Sequence, residues 1–270
     1  MAISETEMNF EREYLNSVTN ELRNKISEIG SALYQQEEKV NEFKKYLWDS
    51  KAGMDNVEVS SSILENDLEV ELLTLRGQYL KKLMKCENNP YFGRVDFNGD
   101  KIYIGITYLD KNNEHLIYDW RSPISNLFYD AKVGDASYLA PSGIIRGTVT
   151  KRRQYKIENK KLIRVFDSDT NVVDEALQEV LDKESSDKMK NIVNTIQAEQ
   201  NAIIRDVVHK NLIVQGIAGS GKTSVALHRI AFLLYKIENL KSKDILILSP
   251  NDVFSEYISN VLPELGEENT

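Results

Sequence analysis

The chain has 270 residues, room for roughly two domains, and a hydrophobic fraction of 41% that can fill ordinary cores. Its 42 acidic and 34 basic side chains leave a formal net charge of −8, which argues against a surface built mainly to coat nucleic-acid phosphates and favours a protein partner. Cys86 is the single cysteine, so no intramolecular disulfide can form, and His115, His209 and His228 lie too far apart in sequence for metal-ligand spacing.

The amino-terminal stretch MAISETEMNFERE is acidic and lacks the apolar core of a signal peptide, and the longest apolar run, IAFLLY, is too short to span a bilayer. A soluble, cytoplasmic chain with no membrane partner is expected. From Glu5 to about Trp48 there is no proline and one glycine, and apolar residues recur at Leu22, Ile26, Ile29, Leu33, Val40, Phe43 and Leu47, with Gln36 in the one gap. That spacing is the seam of a helix packed along another helix. After the polar break around Gly53, Leu64, Leu68, Leu72, Leu75, Tyr79 and Leu83 resume helical spacing up to Asn88–Pro90. The two runs predict an antiparallel helical hairpin over residues 1–89 with its tip near 49–60, where Asp49, Asp55 and Glu58 read as a solvated turn. Such a hairpin is either a structural core element or a protruding coiled-coil arm of roughly 60 Å.

Residues 90–168 change character. Short runs rich in Val, Ile, Tyr and Phe (RVDF, KIYIGITYL, EHLIYDW, SNLFYD, GIIRGTVTKRRQYKI, KLIRVF) alternate with turn signals such as NGD, KNNE, VGDA, APSG and ENKK. They predict a small, mostly antiparallel β module. Within YDWRSPIS, Tyr118 to Ser125, Asp119 and Arg121 read as a structural ion pair, and the chemistry of the string assigns it nothing further. The basic run Lys151–Lys156 reads as a solvated strand edge, with contact to a phosphate backbone as the alternative.

From 169 the period is helical again, with Ser185, Ser186 or Asp187 as N-cap candidates. A buried-type strand, NLIVQ, then precedes GIAGSGKTS, Gly216 to Ser224, a helix and a second strand, DILILS. Strand, loop, helix, strand is the opening of a parallel α/β sheet. Gly216, Gly221, Lys222 and Thr223 meet the GxxxxGKS/T spacing, and Gly219 adds a third glycine. Glycines let the backbone curl so that its N–H groups face phosphate oxygens, and the following helix points its positive end at the same place. The expected ATP contacts are Gly216, Ile217, Ala218, Gly219, Ser220, Gly221, Lys222, Thr223 and Ser224. Lys222 would reach the β- and γ-phosphates, Thr223 would ligate Mg²⁺, and these two are the expected catalytic residues. After Thr223 no strand ends in the second carboxylate that hydrolysis needs; LIYD (Leu116–Asp119) and RVFD (Arg164–Asp167) precede the loop and read as structural. The expected fold class is thus multidomain α+β: hairpin arm, β module, then at 169–270 a helical linker and the start of a P-loop α/β (RecA-like) motor domain.

The stretch from Ile196 to Tyr235, IQAEQNAIIRDVVHKNLIVQGIAGSGKTSVALHRIAFLLY, resembles the opening of superfamily 1 helicases of the UvrD/Rep type. The resemblance implies that Gln200 contacts adenine and that Ser249, Pro250 and Asn251 meet single-stranded nucleic acid. PYFGRVDF, KIYIGI, LIYDWRSPIS and VLPELGEEN, with the hairpin before them, resemble more closely the HelD family, RNA polymerase-associated helicase-like motors of Gram-positive bacteria. This likeness covers essentially the whole chain. It implies that the hairpin enters the secondary channel of RNA polymerase, and that ATP-linked movement helps release the enzyme from stalled or post-termination complexes. It also implies that the chain stops inside the first motor domain, short of the downstream Mg²⁺ carboxylates and arginine fingers, so that the chain alone lacks turnover. Two other readings stay open: a UvrD-type DNA helicase of repair, and a non-enzymatic polymerase-binding factor acting through the hairpin.

Overall fold

The computed structural model describes residues 3–50, 55–167, 196, 198–217 and 219–248. Two long helices come first, α1 (Glu5–Ser50) and α2 (Asn56–Cys86). Helix α1 has 46 residues and is about 70 Å long at 1.5 Å per residue. Asp55 caps α2, its Oδ1 accepting from the Val57 N–H at 2.8 Å.

The α1 seam lies where the sequence puts it: Leu22 and Val40 are buried, and Ile26, Ile29, Leu33, Phe43 and Leu47 are partly buried. Helix α2 departs from expectation. Leu83 is fully buried, yet Leu75, Leu72, Leu68 and Leu64 are 56%, 45%, 55% and 63% exposed. The cause is phase. From Leu22 to Leu47 the row returns to within about 20° of whole turns, whereas from Leu83 back to Leu64 it winds about 100° around the helix, at about 100° per residue. The α2 row therefore faces α1 at the root and turns outward along the arm. The inward positions are taken by a less apolar row that includes Asn66, Glu69, Val70 and Leu73. Gln36, the gap in the α1 seam, meets this row: its Nε2 donates to Glu69 Oε2 and its Oε1 accepts from Arg76 Nη1, both at 2.5 Å.

The β module is one sheet of seven strands: β1 (Gly93–Phe97), β2 (Asp100–Gly105), β3 (Leu109–Lys111), β4 (Glu114–Asp119), β5 (Gly134–Ala140), β6 (Gly143–Glu158) and β7 (Lys161–Asp167). The order is β3-β4-β2-β1-β6-β5, with β7 also on β6, and every pair is antiparallel except β2 with β4. Three of the tight turns foreseen in the sequence are two-residue hairpins with both central residues left-handed: Asn98-Gly99, Asn112-Asn113 and Asn159-Lys160. Two segments correct the sequence reading. SNLFYD is no strand but holds a one-turn helix, α3 (Asn126–Asp130), in which Leu127, Phe128 and Tyr129 are all buried, so no exposed face alternates with a buried one. DASYLA, read only as part of the turns around it, lies in strand β5 with Ala136 and Tyr138 turned inward.

Alternation along the strands gives the sheet two committed faces. Val95, Phe97, Ile102 and Ile104 join one core, with Trp120, Phe128 and residues of the two helices beyond the sheet. Tyr103, Ile117, Tyr155 and Ile157 join the other, with Leu15, Val18, Leu22 and Leu83 of the arm root. A bulge where β1 passes from Asp96 to Phe97 lets β6 place Val149 on the first face and Tyr155 on the second. Cys86 is buried at the base of the arm, and burial pushes its thiol up to about 12.

The arm is fastened by charge. Glu11 on α1 is fully buried and accepts from Arg94 of β1, from Arg153 Nη1 of β6 at 2.9 Å, and from the hydroxyls of Tyr103 at 3.1 Å and Tyr155 at 2.9 Å. Asp96 and Asp167 take the remaining faces of the two guanidiniums. Lys151 and Arg153 reach Glu7 one turn earlier, and the Lys151 ammonium leads in holding that carboxyl at about 2. The run Lys151–Lys156 is thus no solvated edge. It lies on a strand flanked on both sides, and Arg153 is 1% exposed.

Removing one partner of a buried ion cluster leaves uncompensated charge. Glu11→Ala, which removes the shared buried acceptor and leaves Arg94 only the carboxylate of Asp96 and Arg153 only those of Asp167 and Glu7, is expected to cost about 3 kcal/mol in urea unfolding. Glu28→Ala on the exposed face of α1 is the reference and should change stability by no more than about 0.5 kcal/mol.

Candidate functional site

Beyond the sheet lie α4 (Ala198–Arg205) and α5 (Lys222–Lys236), the second opening directly from the glycine loop. Gly219 and Gly221 have φ of 82° and 79°, left-handed values that a side chain strains to adopt, which is the physical reason for glycine at both positions. Gly221 caps α5, and the Val225 N–H returns to the Gly221 carbonyl at 2.9 Å. The loop therefore ends on a helix N-terminus with free backbone donors and a positive dipole end.

Lys222 Nζ donates to the Gly216 carbonyl at 2.9 Å and to the Ile217 carbonyl at 2.7 Å. The ammonium bridges the mouth of the loop, bonded to neutral carbonyls that a phosphate oxygen would outcompete for it. Thr223 and Ser224 follow in the first turn of α5, partly buried. Gln200 on α4 comes to the same place, its Nε2 3.3 Å from where a β-carbon on Gly221 would stand. Gly216, Ile217, Gly219, Ser220, Gly221, Lys222, Thr223, Ser224 and Gln200 are thus gathered at one helix end. Ala218 and the nucleic-acid candidates Ser249, Pro250 and Asn251 lie outside the described residues, as do the N-cap candidates Ser185, Ser186 and Asp187. The donor set fits a nucleoside triphosphate with Mg²⁺: left-handed glycines, one ammonium, one threonine hydroxyl and a helix N-terminus.

The flanking strands of the expected α/β unit are not formed. Residues 211–215 and 245–248 have no ladder partner among the described residues, and Ile213, Leu246 and Leu248 are 94%, 82% and 85% exposed. A strand of this kind is defined by its neighbours, and among the described residues neither run pairs with one. Among the described residues the loop and its helix are in place without a parallel sheet beside them.

The sequence left YDWRSPIS unassigned, and the structure gives it a position. Asp119 and Arg121 form the foreseen ion pair, bidentate at 2.9 and 2.7 Å. Ser125 Oγ donates to the Asp119 carbonyl, closing the turn, and Trp120 is carried fully buried onto His228 of α5, ring centroids 5.7 Å apart. Nothing in the composition of the string reports that contact, because its partner lies more than a hundred residues away. Among the described residues no group of His, Cys, Asp and Glu could hold a metal ion, and no helix is long and apolar enough to cross a membrane.

Residues 8–184 match the family described as DNA helicase IV HelD, N-terminal domain, and the chain belongs to that family. No curated protein matches it.

His228 Nδ1 lies 2.6 Å from the Ser224 carbonyl, and burial pulls its pKa down to about 4. The folded ring stays neutral below the ordinary histidine range, so the unfolded chain binds the proton first. Stability is expected to be full above about pH 6.5 and to fall as pH drops from there toward 4. His228→Gln should flatten urea midpoints across that window relative to the unaltered chain.

Proposed function

We propose that this chain is the front portion of an ATP-driven, helicase-like motor that grips RNA polymerase through its helical arm and helps free the enzyme from stalled or post-termination complexes. The observation that carries the nucleotide half is the loop itself, with Lys222 bridging its own mouth and Gln200 beside Gly221. Membership of the HelD family and a 46-residue arm helix support the polymerase half.

In this reading Lys222 would leave the Gly216 and Ile217 carbonyls for the β- and γ-phosphates, Thr223 would hold Mg²⁺, and Gln200 would recognise adenine. Bound ATP supplies the phosphoanhydride whose cleavage drives movement. The chain's own residues bind and orient it, and the Gly221 end of α5 offers dipole and N–H groups to the phosphates. Turnover, DNA contact by the longer protein and contact of Ser249, Pro250 and Asn251 with nucleic acid belong to the same proposal. The alternatives are a UvrD-type helicase of repair and a non-enzymatic polymerase-binding factor. The long hairpin and the acidic net charge weigh against the first, and the second would leave the loop without a role.

Two measurements test the halves separately. Lys222→Ala should weaken Mg–ATP binding about ten- to a hundredfold by calorimetry; unchanged affinity would remove the nucleotide site. For the arm, deleting all of 1–89 would also remove Glu11 and Leu15 from the fold, so the informative variant replaces residues 34–72 with a short turn. That variant should lose capture of purified core RNA polymerase while keeping its melting transition, and retained capture would refute the arm as the contact.

A further inference from the structure

Arg205, the last residue of α4, is bound to three consecutive carbonyls of the YDWRSPIS turn. Its Nη2 donates to Trp120 O at 2.6 Å, and its Nη1 donates to Arg121 O at 3.2 Å and Ser122 O at 3.3 Å. Its Nε donates to Asn201 Oδ1 at 3.0 Å, and Asn201, fully buried, donates in turn to Asn126 and Asp130 of α3, both at 2.7 Å. One side chain thus joins the helix that carries Gln200 to the turn that follows β4.

The same guanidinium lies 5.2 Å from the ring centroid of Phe232 on α5. Helix α5 is held to this assembly at three further points along its length. His228 meets Trp120, Tyr235 lies 4.8 Å under the Arg121 guanidinium, and Arg229 Nη1 donates to the Ile203 carbonyl of α4 at 2.7 Å. Val225, Leu227, Ala231 and Phe232 of α5 and Ile204 of α4 share one apolar core with Val95, Ile104 and Trp120. The helix that opens from the glycine loop is therefore held jointly by the turn, by α4 and by the sheet core.

We propose that Arg205 is a positioning residue for the phosphate loop: it locks the Gln200 helix and the Lys222 helix in one register against the Trp120–Ser122 turn, linking occupancy of the loop to the arm-bearing sheet. The register is set by shape as much as by charge. A planar fork can span successive carbonyls, whereas a lysine ammonium is a point donor. The nucleotide consequence rests on the proposed ATP site; the positional one does not.

The test uses the full chain with Arg205→Gln and Arg205→Lys, read by amide hydrogen exchange and by Mg–ATP binding at a temperature well below unfolding. Both variants are expected to speed exchange in 222–236 by about tenfold or more while β1 and β6 keep their protection. Affinity for Mg–ATP should fall by about fivefold or more, and lysine should fail to rescue either readout. Faster exchange confined to 198–205, or spread evenly through β1 and β6, overturns the proposal, because Arg205 would then be a local or a merely global stabiliser. Loosening of 222–236 with unchanged ATP affinity overturns the link to the loop. Should the unaltered chain bind no ATP while the exchange pattern holds, the ATP reading falls and the positional tie stands.

Discussion

A single buried carboxylate sets the terms for the rest of the molecule. Glu11 stands between the guanidiniums of Arg94 and Arg153 and accepts from two tyrosine hydroxyls besides. Taking these charges out of water is expensive, and only a complete set of partners offsets the cost. The partners come from α1, β1, β2 and β6, so the cluster is satisfied only when the arm root and three strands are placed together. Docking the arm and closing this side of the sheet are one event. The buried charges also specify orientation more sharply than the surrounding leucines and tyrosines could, since an apolar contact tolerates a small rotation that a shared carboxylate does not.

The far face of the sheet shows the complementary solution. There the core is apolar, built from Val95, Ile102, Ile104, Trp120 and the inner face of α5. Polar groups act at its rim, where Arg205 and Asn201 stitch backbone carbonyls and α3 to α4. Apolar packing supplies the bulk of the association and the rim fixes its register. Trp120 and His228 each keep a buried ring nitrogen without a protein partner, as does the Tyr129 hydroxyl in the same core, so the joint between sheet and helix is incompletely satisfied at these groups.

Much of this was legible, and the failures have definite causes. The Asn-Gly, Asn-Asn and Asn-Lys hairpins could be read because left-handed backbone selects so few residue types. The left-handed turns of the glycine loop could be read for the same reason at Gly219 and Gly221. The α1 seam could be read because its apolar spacing keeps phase over seven turns, roughly. The α2 seam misled because spacing was judged step by step, and small offsets accumulate until Leu64 faces solvent. SNLFYD misled because three consecutive buried side chains carry no period. The basic run misled because Arg153 looks like any surface arginine until Glu11, 142 residues earlier, is brought beside it. The strands flanking the loop have buried-type composition, but composition cannot provide a neighbour for them to pair with.

The sheet itself explains how distant parts of the chain come to depend on one another. Along β1, Arg94 points to the arm and Val95 to α5; along β2, Tyr103 and Ile104 divide in the same way. Adjacent residues on one backbone thus serve opposite faces, and neither can shift without the other, because interiors packed at near-crystalline density do not absorb small displacements independently. A rotation of the arm that pulled Glu11 from Arg94 would bear on Val95 through a single peptide unit, and Val95 belongs to the core that seats Val225 and Phe232 of α5. The path from the arm root to α5 is therefore one sheet thick. A hinge between the two would need a break in β1 or β6, and both strands run through the module, their pairing with each other shifted at Asp96–Phe97 and that of β6 with β7 at Lys156–Ile157.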